Sequence, residues 1–297
     1  MTTPPIQWYP GHIAKAERQL LDQLSRVDVA LEVRDARIPL ATHHPDLDRW
    51  LGDKARVLVI NRVDMIPTDL RNQWEIWFRE QGETPFFTDA QRGIGVKTLG
   101  QVAVAAGKPM NDRRVRRGMK PRPVRAVVLG FPNVGKSALI NRLVNKRVVE
   151  SARRAGVTRQ LRWVRLGQDL DLLDAPGVLP AKLSDQGAAL HLALCDDIGQ
   201  AAYDNQRVAA ALIDRLQWLQ ATTPHVPPTL LQHRYGLEDC QYTGEDYLAL
   251  WAESRYQGDR ERAACQLLND FRKGLLGSLP LELPPEPDEA PSGSLDP

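Results

Sequence analysis

The stretch Gly130-Phe131-Pro132-Asn133-Val134-Gly135-Lys136-Ser137 decides the fold, because it is a complete phosphate-binding loop of the form G-x-x-x-x-G-K-[ST]. Its glycines let the backbone curl so that N–H groups point at phosphate oxygens. Lys136 is expected to reach the β and γ phosphates, and the Ser137 hydroxyl to ligate Mg²⁺. The residues before the loop, Arg125–Leu129, are typical of a strand, and Ser137–Leu143 are typical of a helix. Strand, loop and helix therefore follow in the order that a phosphate site requires.

A second motif, Asp174-Ala175-Pro176-Gly177, ends the apolar run Leu170–Leu173. The pattern predicts that Asp174 lies where a buried strand emerges and that it holds Mg²⁺ through a water molecule. Gly177 is then expected to offer its N–H to the γ-phosphate. Taken alone, D-x-P-G also marks an ordinary turn after a strand.

A switch threonine is expected between these two motifs. Thr158 lies in the polar, basic stretch Gly156–Arg159, and its hydroxyl and carbonyl would serve the metal and the attacking water. The alternative interpretation is an ordinary loop threonine.

The motif that reads the base, Asn61-Arg62-Val63-Asp64, precedes the phosphate loop in the chain. It follows the apolar strand Arg56–Ile60, at the carboxyl end where open α/β sheets bind ligands. Asp64 is expected to accept from guanine N1–H and the exocyclic amino group, which adenine does not supply in that arrangement. Arg62 stands where N-K-x-D has lysine and changes the geometry of the head group. A second base contact is expected from the N–H of Ala90, in Asp89-Ala90-Gln91.

This rotated motif order predicts an α/β fold: a doubly wound, Ras-like P-loop GTPase domain with circular permutation, over residues 1–180. Chain ends often lie close together in such domains, so cutting and rejoining them is sterically tolerable. A helix is predicted over His12–Arg26. The predicted strands are Val27–Val33, Arg56–Ile60, Pro85–Thr88, Arg125–Leu129, Leu161–Leu166 and Leu170–Leu173.

The remainder of the chain predicts a smaller all-helical domain over residues 183–278. Apolar residues recur at helical spacing in Gln186–Gln220, Tyr247–Trp251 and Arg260–Leu276. Residues 280–297 are acidic and rich in proline, and are expected to be a disordered tail.

Composition narrows the class of protein. The chain has 297 residues and 42% hydrophobic residues, which suffices for one α/β domain and a smaller one. Its apolar runs are far shorter than the roughly 20 residues of a membrane-spanning helix, so a cytoplasmic protein without membrane contact is expected. Cys195, Cys240 and Cys265 have no C-x-x-C spacing and are expected to be reduced thiols.

Charge is distributed unevenly along the chain. Residues 1–179 hold 30 Lys and Arg against 19 Asp and Glu, whereas residues 180–279 hold 9 against 13. Two basic clusters, Lys108–Arg125 and Lys146–Arg165, flank the phosphate loop. Such clusters are often solvated loops, but beside a nucleotide switch they favour an RNA backbone as partner over an acidic peptide.

These motifs together resemble a known family, the circularly permuted GTPases of the YlqF type. Trp8–Ala16 is similar to the opening signature of that family, and Asp35-Ala36-Arg37-Ile38-Pro39 to its D-A-R-x-P element. The resemblance covers the chain from Trp8 to about Phe271. Arg62, Ala155 and Ala90 depart from it, where lysine, proline and serine are usual.

The resemblance implies a Mg²⁺-dependent enzyme that converts GTP to GDP and phosphate. It further implies an assembly factor that binds the large ribosomal subunit or its precursor, and its rRNA, when GTP orders the switches. The helical domain is implied to contact RNA, and a ribosome-stimulated, monomeric enzyme is expected.

Hydrolysis requires a group that positions water, and the sequence lacks the usual one. Val178 occupies the position of the water-orienting glutamine of Ras-like enzymes. The resemblance suggests His12 instead, on a loop after Gly11; its alternatives are helix capping and RNA contact. The amide oxygen of Asn133 is a candidate ligand for K⁺.

The sequence thus predicts a complete site and leaves two other functions open. Val178 motivates a GTP-sensing, RNA-binding scaffold with incidental slow hydrolysis, and an ATPase is disfavoured by Asp64. The predicted catalytic residues are His12, Thr158 and Lys136, and the predicted Mg²⁺ ligands are Ser137, Thr158 and Asp174. The predicted nucleotide-binding residues are Asn61, Arg62, Asp64, Asp89, Ala90, Asn133, Val134, Gly135, Lys136, Ser137, Ala138, Thr158, Asp174 and Gly177.

Overall fold

The computed structural model describes residues 5–7, 11–145, 161–237 and 242–286, without the side chains of residues 12, 13 and 16. The strands are β1 (Val29–Asp35), β2 (Ala55–Asn61), β3 (Pro85–Thr88), β4 (Val124–Leu129), β5 (Arg162–Leu166) and β6 (Leu170–Asp174). The helices are α1 (Gly11–Leu24), α2 (Leu47–Leu51), α3 (Thr68–Glu80), α4 (Val96–Ala106), α5 (Lys108–Arg116), α6 (Lys136–Val144), α7 (Gln186–Leu194), α8 (Asn205–Thr222), α9 (Leu230–Tyr235), α10 (Gly244–Tyr256) and α11 (Arg260–Arg272).

One mostly parallel sheet organises the first half of the chain, in the order β3-β2-β1-β4-β6-β5. The strand order reverses between β1 and β4, and ligands bind at such a switch point, outside the carboxyl ends of the strands. Asn61, Thr88, Leu129 and Asp174 end β2, β3, β4 and β6. The doubly wound fold is confirmed, and all nucleotide motifs in the described residues come to one edge of the sheet.

The edge strand β5 differs from the rest because it runs antiparallel to β6. A two-strand hairpin through Gly167, where φ is 62°, joins β5 to β6 without a crossover helix. The sheet therefore ends in a strand that the described residues pair on one side only.

Apolar side chains cover both faces of the sheet. On one face, Leu20 and Leu24 of α1 pack with Val127 of β4 and Leu173 of β6. On the other face, Val29 and Val128 belong to a larger hydrophobic core. This core extends without a break into the C-terminal helices. The division into domains over 1–180 and 183–278 stays a prediction.

The C-terminal helices differ from the sequence pattern in two places. The predicted run Gln186–Gln220 is divided into α7 and α8, because Asp196 has a φ of 65° and Asp204 caps α8 by accepting from the N–H of Arg207. The short helix α9 was not predicted. Periodicity alone does not reveal such interruptions, since apolar residues continue through them.

The segment after α11 is also more ordered than the sequence suggests. Leu281 and Glu282 are buried, and the Glu282 carboxylate accepts from the N–H groups of Leu40 and Ala41, at 2.7 and 3.1 Å. The start of the predicted disordered tail is therefore corrected, since residues 280–286 are described and these two are docked. Residues 287–297 lie outside the described part of the chain.

Other expectations from composition can be checked in the described residues. Cys195 is buried and Cys265 partly buried, both as free thiols, while Cys240 lies outside the described ranges. Every described helix falls short of the length and apolarity that crossing a bilayer requires.

Candidate nucleotide-binding site

The phosphate loop connects β4 to α6 and depends on two glycines. Gly130 has a φ of 147°, and a Cβ there would lie 2.3 Å from the carbonyl oxygen of Val33. Gly135 has a φ of 100°, and a Cβ there would lie 2.2 Å from Nδ2 of Asn61. Side chains at either position would both strain the backbone and collide. The loop is therefore packed against β1 and against the end of β2.

Lys136 and Asp174 form a buried pair of opposite charges at the phosphate end of the site. The Lys136 Nζ donates to the carbonyl oxygens of Phe131 and Gly130, at 2.7 and 3.1 Å. Burial lowers the pKa of Lys136 to about 8, although the charge of Asp174 opposes the shift. Burial likewise raises the pKa of Asp174 to about 6, against the charge of Lys136. Burial therefore disfavours the charged form of both groups, although each is still mostly charged at pH 7.

The residues at this end fit a magnesium ion that binds together with phosphate. Oδ1 of Asp174 is buried and has no hydrogen-bond partner in the described residues. Ser137 follows Lys136 in the first turn of α6. The described residues contain no group of three or more His, Cys, Asp and Glu side chains that would hold a metal ion. Mg²⁺ suits such a site because it usually takes one or two carboxylates, substrate phosphates and water.

The segment after Asp174 lies directly on the phosphate loop. A Cβ on Gly177 would lie 2.6 Å from Cα of Pro132, so only glycine permits this approach. The next N–H, that of Val178, donates to the carbonyl oxygen of Gly130 at 3.2 Å. The Val178 side chain is buried with α1 and β6. It contributes to the core and, being apolar, offers no hydrogen bond to a water molecule.

Asn61 connects the three loops of the site. Its Nδ2 donates to the carbonyl oxygen of Val134 at 2.8 Å. Its Oδ1 accepts from Thr88 Oγ1 at 3.0 Å and from the N–H of Ala90 at 3.1 Å. In this structure the N–H of Ala90 is engaged by Asn61, and its contact with the base stays a prediction. Asn61 itself acts as a positioning residue.

Asp89 stabilises its own loop in a similar way. Its Oδ1 accepts from the N–H groups of Gln91 and Arg92, at 2.8 and 2.9 Å. Its side chain is buried and shapes the loop beside Asn61.

Arg62 and Asp64 occupy a tight turn after β2. Arg62 has a φ of 63°, and its guanidinium donates to the carbonyl oxygen of Asn133 in the phosphate loop. Its Nε lies 3.5 Å from Oδ2 of Asp35. Asp64 lies in the 3-10 turn Val63–Met65 and is partly exposed. Burial, and then the charge of Asp89, raise the pKa of Asp64.

A buried charge cluster lies behind the phosphate loop. Arg37 Nη2 lies 2.7 Å from Asp35 Oδ2, and both side chains are fully buried. Asp197 is also fully buried, and neither of its carboxylate oxygens has a hydrogen-bond partner in the described residues. Burial, and then the charge of Asp35, raise the pKa of Asp197 well above its usual range. Burial therefore disfavours the charged form of Asp197.

The helical part of the chain contacts the phosphate loop through the same region. Nδ2 of Asn133 donates to the carbonyl oxygen of Asp196, at 2.6 Å. Sequence reasoning missed Asp196 and Asp197; the available signal was a pair of acidic residues directly after the apolar run 192–195. The C-terminal segment also reaches the base motif, because Ser278 Oγ donates to the carbonyl oxygen of Asp64, at 3.0 Å.

Three predicted features remain without a described side-chain geometry. The backbone of His12 lies in the first turn of α1 rather than on a loop, and its side chain is not described. Thr158 and most of the basic cluster Lys146–Arg165 lie outside the described residues.

Two further predicted nucleotide-binding residues are described. Val134 is buried in the phosphate loop, and Ala138 lies in α6.

The parallel sheet, the phosphate loop at its switch point and the preceding base motif define a P-loop GTPase with circularly permuted motifs. A family model described as "50S ribosome-binding GTPase" matches residues 125–223. Ribosome biogenesis GTPase A of Bacillus cereus is 35% identical over 95% of both chains. The protein of that name from Priestia megaterium is 34% identical, over 96% of this chain and 99% of its own. The chain belongs to the ribosome biogenesis GTPase A family.

Solved structures support the same fold. YlqF bound to GDP superposes with a TM-score of 0.63 at 23% identity, over 90% of this chain and 99% of its own. YlqF from T. maritima bound to GNP gives a TM-score of 0.61 at 24% identity, over 92% and 99%. The family assignment confirms the predicted class and does not favour the scaffold alternative.

Proposed function

We propose that this protein hydrolyses GTP to GDP and phosphate and uses that cycle in assembling the large ribosomal subunit. Its partners are the large subunit or its precursor, and the rRNA within it. The observation that carries the proposal is the convergence of Asp64, Lys136 and Asp174 at one edge of the sheet, in a chain whose relatives are named ribosome biogenesis GTPases. The protein acts in the cytoplasm as a monomer.

The base and phosphates of GTP are held by different ends of the site. Asp64 accepts from the two N–H groups at the edge of guanine. The N–H groups of the loop 130–137 and the ammonium group of Lys136 hold the phosphates. The protein ligands for Mg²⁺ are Ser137, Thr158 and, through water, Asp174. When bound, Mg²⁺ neutralises negative charge that develops on the phosphate oxygens.

Hydrolysis depends on a residue other than Val178, because that side chain is apolar and buried. His12 lies at the start of α1 and is assigned the role of positioning water, together with Thr158. Gly177 offers its N–H to the γ-phosphate. Asn133 uses its Nδ2 to bind Asp196, which leaves the amide oxygen as the ligand for K⁺.

Exposed positive charge on α5 supports an RNA partner. This helix is Lys108–Arg116, and Arg113, Arg114 and Arg116 fall in its last turn, where cations also complement the helix dipole. Asp112 is the one acidic residue of Lys108–Arg125. Phosphate contacts of this kind supply affinity without sequence specificity. Binding by the helical region 183–278 is part of the same proposal.

The test is GTP turnover in KCl, with and without purified large ribosomal subunits, and with small subunits as the control. Strong stimulation by large subunits alone is expected. Turnover in NaCl then tests Asn133, because equal rates in the two salts would remove the K⁺ assignment. His12→Ala is expected to lower turnover by about 100-fold or more while GTP affinity is retained. A lack of stimulation by large subunits would contradict the proposal.

A further inference from the structure

The face of the sheet on which α1 packs carries a groove of about 310 Å³ beside the edge strand β5. The proposed function does not use this groove. Trp163 lies opposite Leu173 in the β5–β6 pair, and Arg165 lies opposite Asp171. Arg125 lies opposite Asp171 in the β4–β6 pair. Residues that face each other directly across strands share one face of a sheet. The groove is lined by Arg26, Arg125, Trp163, Arg165 and Asp171.

The groove exists because α1 covers only part of this face. Its residues Leu20 and Leu24 pack on Val127 and Leu173, and the helix ends at Leu24. The chain then turns, so that Arg26 borders the groove instead of covering it. Within the described ranges, this end of the face remains open to solvent.

An exposed tryptophan forms one wall of the groove. The Trp163 side chain is 38% exposed, although large apolar side chains in strands usually face a core. The guanidinium carbon of Arg125 lies 5.9 Å from the centroid of its ring. An aromatic ring beside arginine is the combination on which unpaired nucleic-acid bases stack.

The charge of the groove is positive. Three of its five lining residues are arginines, against one aspartate. Arg165 Nε lies 2.9 Å from Asp171 Oδ1, which neutralises one positive charge, yet the Arg165 side chain remains 68% exposed. Arg26 and Arg125 keep the groove positive. A ligand with negative charges and flat, unpaired rings complements both properties.

The groove also adjoins the basic helix α5. Asn111 of α5 binds the backbone of Arg122 through both atoms of its amide, at 2.8 and 3.0 Å. Arg122 in turn pairs with Asp28 at 2.7 Å, and Asp28 accepts from the N–H of Arg125 at 2.9 Å. Helix α5 is therefore linked through Arg122 and Asp28 to the start of β4, the strand that contributes Arg125 to the groove.

We propose that this groove binds single-stranded RNA, with a base stacked on Trp163 and phosphates held by Arg26, Arg125 and Arg165. This inference rests on the proposed function, since it assigns a contact with RNA of the subunit or its precursor. Duplex RNA does not fit, because its bases are stacked on one another and expose no ring face to a side chain.

The experiment measures binding of the full chain to fluorescent RNA of about ten nucleotides, a length typical of such sites. Trp163→Ala is expected to weaken binding of single-stranded RNA by about 5- to 150-fold, as a lost stacking contact does. Trp163→Phe is expected to restore most of the affinity, and the duplex control to bind all three proteins equally. GTP turnover without ribosomes is expected to be unchanged.

A matched pair of arginine variants tests the charge contribution. Arg165 and Arg79 are 68% and 63% exposed, and each pairs with one carboxylate, Asp171 and Glu75. Arg165→Ala is expected to reduce the slope of log affinity against log salt by about 0.7, the value for one phosphate contact on a single strand. Arg79→Ala is expected to leave the slope unchanged, because Arg79 lies on α3.

Several outcomes would overturn the inference. Unchanged RNA affinity in Trp163→Ala would do so, as would equal effects of Arg165→Ala and Arg79→Ala. Binding of a glutamate-rich peptide with the same dependence on Trp163 would identify an acidic peptide as the ligand. If wild-type protein is still stimulated by large subunits in any of these cases, the proposed function stands and only the groove is refuted.

Discussion

The two ends of the nucleotide site reach their geometry in different ways. At the base end, the Asn61 side chain makes three hydrogen bonds within the protein and fixes three loops. At the phosphate end, Lys136 and Asp174 are buried with pKa values shifted against their charged forms. The base end is therefore complete in the free protein, whereas the phosphate end gains its electrostatic complement from the ligand. Stability and ligand affinity should depend on different residues.

The largest effect on stability is expected from Asn61→Ala. The substitution leaves the buried partners of Asn61 unsatisfied, and each such group costs about 1–3 kcal/mol. We expect the free energy of unfolding of the nucleotide-free protein to fall by about 3 kcal/mol or more. Denaturant unfolding measures this change. The control is Asn111→Ala, which removes two bonds to the backbone of Arg122 far from the site.

Comparable unfolding free energies for these two asparagine variants would break the comparison. They would show that the bonds of Asn61 contribute no more than those of a surface helix.

Lys136→Met is expected to lower GTP affinity strongly and to lower the free energy of unfolding less than Asn61→Ala does. Methionine fills much of the same space without charge, and the buried ammonium it replaces is already disfavoured by burial. The substitution leaves the Phe131 carbonyl unpaired and Asp174 to take up a proton, so we expect the free energy of unfolding without nucleotide to fall by about 1–2 kcal/mol, less than in Asn61→Ala. GTP affinity is expected to fall by about 100-fold, because hydrogen bonds to charged groups are worth about 1.5–3 kcal/mol.

Titration with GTP measures the affinity, and denaturant unfolding of the same preparation measures the free energy of unfolding. Lys97→Met, at an exposed position of α4, serves as the control for loss of a lysine. A large loss of stability in Lys136→Met would show that the phosphate end is also a structural element.

A smaller and more selective effect is expected from Asp64→Asn. Asparagine offers one donor and one acceptor, whereas guanine presents two donors to Asp64. We expect GTP affinity to fall by about 10- to 100-fold and the unfolding free energy to change by less than about 0.5 kcal/mol. Xanthosine triphosphate carries a carbonyl where guanine has its amino group, so its affinity should rise relative to GTP.

Competition between the two nucleotides measures that preference. Asp53→Asn, on an exposed turn, is the control and should leave the preference for GTP unchanged. An unchanged preference in Asp64→Asn would show that another group reads the base.

The sequence predicted the phosphate end more completely than the base end. The motif at residues 130–137 specifies its own backbone, since glycine, lysine and serine each have a local role there. The role of Ala90 was not predictable in this way. Its N–H is engaged by Asn61, which is 29 positions away in the chain, and only the folded sheet brings the two together.

The C-terminal contacts show the same limit. Glu282 was assigned to a disordered tail on composition, yet it binds Leu40 and Ala41. Asp196 contacts Asn133 across 63 positions. Both contacts join distant segments, and the sequence around each residue does not indicate which partner it contacts. Tertiary packing therefore determined the features that sequence reasoning missed.

Proton exchange during nucleotide binding tests most directly whether the ligand completes the phosphate end. With a pKa of about 8, Lys136 is half deprotonated at pH 8 in the free protein. Phosphates stabilise its ammonium form and raise that pKa, so binding must take up a proton. Calorimetry in two buffers with different ionisation enthalpies measures how many protons are taken up or released per nucleotide bound. We expect a net uptake of about 0.5 proton at pH 8, which falls to about zero at pH 7, where Asp174 releases a similar fraction of a proton.

At pH 6 the sign is expected to reverse. Asp174, with a pKa of about 6, is half protonated in the free protein and loses its proton when Mg²⁺ and nucleotide bind. Uptake at pH 8 with release at pH 6 is the predicted result. An absence of proton uptake at pH 8 would contradict it, because Lys136 would then be fully charged before any ligand arrives.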